Sequence, residues 1–142
     1  MKLHIVSDLH TDSRSTRYDN PLGVELFDTD ADVIIIAGDT SNRPERTFAF
    51  LEMVADTYPT KHVIATFGNH EYYAGDSMDI NYDVIRYIDK NERKNLHILH
   101  DTYVVIDGVA FFGSVFWTAF FKGWLLLSQP PGCHSNSTSF ST

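Results

Sequence analysis

A chain of 142 residues fits one domain and can bury a sizeable core. Apolar residues make up 43% and charged residues 21%, the profile of a soluble globular protein. Lys and Arg total 11 against 19 Asp and Glu, and the net charge of -8 argues against a diffuse electrostatic grip on nucleic acid while suiting divalent cations.

Lys2 to Val6 is a short β-rich apolar run. The polar segment "SDLHTDSRSTRYDN" after it has loop composition. Asp32 to Ala37, "DVIIIA", is a continuous β-branched run that stops at Gly38, as in a strand covered on both faces. In "NRPERTFAFLEMVADTY", residues Phe48, Leu51, Val54, Ala55 and Tyr58 recur at helical spacing. Pro44 fits the first turn of that helix, and Asn42 with Glu45 matches a capping box. His62 to Phe67, "HVIATF", is a third strand, again stopped by a glycine. Met78 to Lys90 predicts a second helix with Ile80, Val84, Tyr87 and Ile88 on one face, capped by Asp76 or Ser77. Three short strands follow at 96–99, 102–106 and 109–116, the last two joined by an Asp107-Gly108 hairpin turn.

Strands alternating with helices predict an α/β layered fold with strands 1–3 parallel and a late antiparallel hairpin. The domain is expected to span 1–121. After Phe121 the period is lost, so 122–142 is expected to be irregular or disordered. Cys133 is the single cysteine, which precludes an intrachain disulfide. The N-terminus reaches Asp8 too early for a signal peptide, and "VFWTAFFKGWLLL" is too short to span a bilayer. A cytoplasmic protein with no membrane partner is expected.

Polar residues crowd the strand exits. Asp8 and His10 follow the first strand, Asp39 the second, and Asn69 and His70 the third. In open α/β sheets, ligands bind at the carboxyl ends of parallel strands, so these residues share one edge. The "DLH" at Asp8–His10 can grip a cation with a carboxylate and an imidazole. Asp39 can bridge two cations, and Asn69 offers a neutral carbonyl oxygen. Mixed N/O ligation suits Mn, Fe, Zn or Ni rather than Ca. Two such ions can clamp a phosphate with a hydroxide between them for in-line attack.

"DLH", "GD" at Gly38–Asp39 and "GNHE" at Gly68–Glu71 resemble the first three blocks of the calcineurin-like metallophosphoesterases. The segment "DGVAFFGSVFWTAF" also looks like a stretch of many prokaryotic and phage members. The resemblance covers roughly residues 1–120. It implies an α/β/β/α-type sandwich and hydrolysis of a phosphomonoester or phosphodiester by a metal-bridging hydroxide. It implies two divalent metals, Mn foremost, and a small phosphate ester or nucleotide as substrate. Residue by residue, it implies Asp8 and His10 on metal one, Asp39 bridging, and Asn69 on metal two. His70 would steady the transition state or protonate the leaving oxygen, a role suited to imidazole.

The chain departs from the family downstream. The family supplies three later histidine ligands, two of them in a terminal G-H-x-H. This chain has no G-H-x-H, and after Phe121 its one histidine is His134. A second expectation is therefore a truncated, inactive relative acting at most as a binding protein, with an uncovered sheet edge or face. A shifted or shortened reading frame would account for the tail. Arg43 reads as a solvated helix-start residue, Glu71 as a support behind the ligands or a cap rather than a ligand, and His4, His62, His97 and His100 as structural or surface residues.

Overall fold

The computed structural model describes residues 1–12, 27, 30–73 and 77–115. A four-stranded parallel sheet is ordered β1-β2-β3-β4, from Leu3–Val6, Val33–Ala37, His62–Thr66 and Leu96–Ile98. Helix α1 (Pro44–Thr57) connects β2 to β3, and α2 (Ser77–Lys90) lies between β3 and β4. A separate antiparallel hairpin joins β5 (Thr102–Ile106) to β6 (Val109–Gly113). The three parallel strands and the late hairpin stand as expected. The strand at 96–99 extends the parallel sheet, pairing Val63 with Leu96 and Ala65 with Ile98.

The β-branched run of β2 is covered on both sides. Ile34 and Ile36 face a core shared with Val63, Ala65, Leu96 and Ile98 on the sheet and Leu51, Val54, Ile80 and Val84 on the helices. Both helices therefore lie on one face. On the other face Val33 and Ile64 meet Leu99 and Ile106, with Val104 and Phe111 of the hairpin packed alongside. The hairpin turn at Asp107 and Gly108 has φ of 48° and 78°, the two left-handed positions that a type I′ turn requires.

Two local expectations are corrected. Asn42 does not cap α1: the N-cap is Arg43, exposed and extended, with no side-chain capping bond. Pro44 begins the helix and needs no N–H partner, so the first turn stands without that cap. The strand expected over 109–116 ends at Gly113. Asp76, Trp117, Phe120, Phe121, Trp124, Cys133, His134 and the whole of 122–142 lie outside the described residues. Among the described residues, no helix is long and apolar enough to cross a membrane.

Candidate metal centre

The parallel register delivers the ends of β1, β2 and β3 to one edge, where backbone bonds stitch the loops together. The Asp8 N–H donates to Gly38 O at 3.2 Å, the His10 N–H to Asp39 O at 3.1 Å, and the Thr11 N–H to Thr40 O at 2.8 Å. Leu9 is buried in the core between the two outward-lying ligand candidates. Asp8, His10 and Asp39 all have left-handed φ, at 54°, 45° and 54°. That conformation costs a residue with a side chain about 1–2 kcal/mol, and such strain concentrates at functional sites.

The second and third loops meet through two glycines. Gly38 has φ 86°, and a Cβ there would sit 2.7 Å from the Gly68 nitrogen. A Cβ on Gly68 would sit 2.1 Å from Asp39 Oδ1. Only hydrogen at both positions lets β3's exit lie against Asp39. The Asp39 carboxylate then accepts the His70 N–H at 3.0 Å through Oδ1.

Glu71 locks this arrangement from below. It is fully buried. Its Oε2 accepts the N–H groups of Asp39 at 3.1 Å and Gly68 at 2.9 Å. Its Oε1 accepts those of Thr40 at 2.6 Å and Ser41 at 3.2 Å, and the Thr47 hydroxyl of α1 at 3.2 Å. The buried carboxylate is thus satisfied on both oxygens. Glu71 is a cap, as its position in "GNHE" suggested, but it caps two loops at once. Next to it, burial and then the charges of Glu71 and Asp101 push the Tyr72 hydroxyl up to about 12, so that phenol keeps its proton.

These constraints bring His10, Asp39 and His70 together, each offering a ligand atom within 4.8 Å of the others. The two imidazoles meet edge to face with ring centroids 4.3 Å apart. Asp8 is not in that group. Asp8 is exposed, and its Oδ2 accepts the Ser7 hydroxyl at 2.5 Å. Asn69 donates from Nδ2 to the Tyr73 hydroxyl at 2.5 Å, a bond that does not use its metal-binding carbonyl oxygen. His97 and His100, at β4, are also outside the group. His97 Nε2 lies 3.0 Å from His62 Nδ1, and His4 packs edge-on against Phe27.

Two imidazoles and a carboxylate form a mixed N/O donor set that fits a divalent transition metal. Asn42 is the site residue that spacing concealed. Its Oδ1 lies 2.7 Å from His70 Nδ1. Its sequence signal, Asn three residues before Glu45, is that of a helix cap, and a cap signal says nothing about a partner on another strand's loop.

A parallel α/β sheet whose strand ends gather histidines and an aspartate defines a candidate metal-dependent enzyme. A family model, calcineurin-like phosphoesterase, matches residues 1–131, and the chain belongs to that family. No curated protein and no solved structure matches the chain. The family is a hydrolase family acting on phosphoric esters with two divalent metals.

Proposed function

We propose that this chain hydrolyses a small phosphate ester, a phosphomonoester, phosphodiester or nucleotide, with divalent cations held at the strand ends. The observation that carries the reading is the convergence of His10, Asp39 and His70 within 4.8 Å. In this reading His10 and Asp8 would hold one cation, Asp39 would be shared, Asn69 would offer its carbonyl oxygen to the second, and His70, whose ring reaches the same group, would be the acid and not a ligand. Manganese is the first choice among Mn, Fe, Zn and Ni. When bound, the cations polarise the phosphate and supply the attacking hydroxide.

The chain's own residues do the rest. Asp39 is fixed by the His70 N–H and by the Glu71 cap on its own backbone. His70 stands beside the pair and gives a proton to the departing ester oxygen, which would otherwise leave as an alkoxide. The single cysteine supports a cytoplasmic setting, and the acidic balance supports a small-molecule partner over a nucleic acid.

A second reading is an inactive relative that binds metal at most. It is favoured by Asp8, which lies outside the group of His10, Asp39 and His70 and accepts the Ser7 hydroxyl. Metal analysis of the purified, manganese-equilibrated chain separates the two. Two ions per chain are expected of the hydrolase; one or none supports the inactive relative.

A further inference from the structure

A second pair of histidines meets at the other end of the sheet. His62 opens β3, and His97 is the middle residue of β4. The parallel register sets Val63 against Leu96 and Ile64 against His97. Side chains alternate along a strand, and Val63, Ala65, Leu96 and Ile98 belong to the core under the helices. His62 and His97 therefore both project from the opposite face, where His62 Nδ1 lies 3.0 Å from His97 Nε2. The ring centroids are 5.2 Å apart and the planes differ by 31°, so the rings meet edge to edge rather than stacked. We propose that His62 and His97 form a further metal site, a two-imidazole chelate for nickel(II) or copper(II) that staples β4 to β3.

An imidazole binds a metal through a nitrogen lone pair lying in the ring plane, and here two such nitrogens face each other. With metal–nitrogen bonds of about 2.0–2.1 Å, two ligands at right angles on one ion stand about 2.9 Å apart, and two at a tetrahedral angle about 3.3 Å. The observed 3.0 Å is close to the right-angle value, the geometry of tetragonal copper(II) and nickel(II). Imidazole suits both ions, whereas manganese stands at the weak end of the divalent series. Water would complete the coordination.

The surroundings leave the pair available and hold it in place. Lys61, just before His62, donates from its ammonium to Ala31 O. Asn95, two residues before His97, donates to Ala55 O at 2.9 Å and to Tyr58 O at 3.3 Å. Both rings are half-buried. His62 is the register partner of Val33 and His97 of Ile64, two buried members of the apolar cluster under the hairpin. An apolar wall of that kind limits competition from water. Four residue steps of β3, about 13 Å at the rise of a strand, separate His62 from the strand exit, so this pair is distinct from the strand-end centre. The inference does not rest on the hydrolytic reading. β4 has three residues, and an ion held by both rings would tie it to β3.

Nickel titration of the full chain tests this by calorimetry and thermal melting, with His62→Gln, His97→Gln and Asp39→Asn alongside and circular dichroism confirming each fold. In either glutamine variant one nickel equivalent is expected to weaken by at least about 100-fold, since a lone imidazole has no chelate partner. Asp39→Asn should keep that equivalent. Nickel at about 100 times its dissociation constant should raise the melting midpoint by several degrees more in the wild type than in His97→Gln. In the wild type alone, nickel should shield both rings from diethyl pyrocarbonate, mapped by mass spectrometry, and manganese should not. Equal nickel binding by the wild type and both glutamine variants overturns the proposal, as do rings that nickel leaves open to the reagent. Nickel binding that disappears entirely in Asp39→Asn would place every ion at the strand ends and overturn it too.

Discussion

Asp39 depends on two neighbours that carry no metal-binding atom of their own in this account. Gly68 is the first. Its missing side chain is the space that Asp39 Oδ1 occupies, so Gly68→Ala must push the carboxylate or the β3 exit aside. A displacement near 1 Å lowers activity about 100-fold. Kinetics of Gly68→Ala beside its thermal melt would show a folded protein with that loss; full activity would mean the loops can part without harm. Glu71 is the second. Glu71→Ala strands the N–H groups of Asp39, Thr40, Ser41 and Gly68. Even with partial rescue by water, the expected destabilisation is about 3 kcal/mol or more. Urea unfolding measures it, and a change below about 1 kcal/mol would show that the cap is not needed.

The site was partly legible at this scale. His10, Asp39 and His70, which the structure brings together, can be picked from the sequence because polar residues at the ends of apolar strands are poor packing material. Their partners could not be picked. Asn42 mimics a helix cap, and Glu71 reaches residues about thirty positions away. No local pattern records a bond of that span.

At the scale of elements, polar contacts tie the helices to the site edge and to β4. Helix α1 carries Thr47 to Glu71 at one end and Glu52 and Asp56 at the other. Arg93, on the way into β4, meets Asp56 through Nε and Nη2 and Glu52 through Nη1. Glu52 also accepts the Tyr87 hydroxyl of α2 at 2.6 Å, and burial, then that bond, pushes the Tyr87 phenol well above its ordinary range. Both helices and the start of β4 are therefore joined by one polar cluster.

Strands β3 and β4 carry a pH-dependent contact. Burial, and then the neighbouring His62, hold His97 below the ordinary histidine value. The unfolded chain, with ordinary histidine near pH 6.5, therefore takes up this proton first. The contribution is full above about pH 6.5 and is lost as pH falls through the lower folded value. Thermal midpoints measured between about pH 7.5 and pH 5 should fall with pH, and less steeply in His97→Gln. An unchanged slope in that variant would remove His97 as the source.

At the scale of the whole molecule, the periodicities carried the architecture. The continuous run of β2 announced burial on both faces, and the helical spacings of α1 and α2 announced an apolar face on each. Membership of β4 in the parallel sheet was not readable. Three residues have no periodicity of their own, and nothing in them distinguishes a fourth parallel strand from a partner of the hairpin. The face opposite the helices is covered by the hairpin at its β4 side, while Leu3 and Ile5 of β1 stay 46% and 63% exposed. The hairpin's own outer face shows Tyr103, Val105 and Phe112. The run of β2 signals cover on both faces, whereas the structure leaves Leu3 and Ile5 of the edge strand β1 exposed.

The activity proposed for the strand-end residues is metal-dependent hydrolysis of a phosphate ester. Hydrolysis of an aryl phosphate by the manganese-loaded wild type, set beside Asp39→Asn, tests it most directly. The account predicts turnover by the wild type and a loss of at least about 100-fold in the variant, with unchanged circular dichroism. A folded, manganese-loaded wild type that hydrolyses nothing, or an Asp39→Asn variant as active as the wild type, would contradict it.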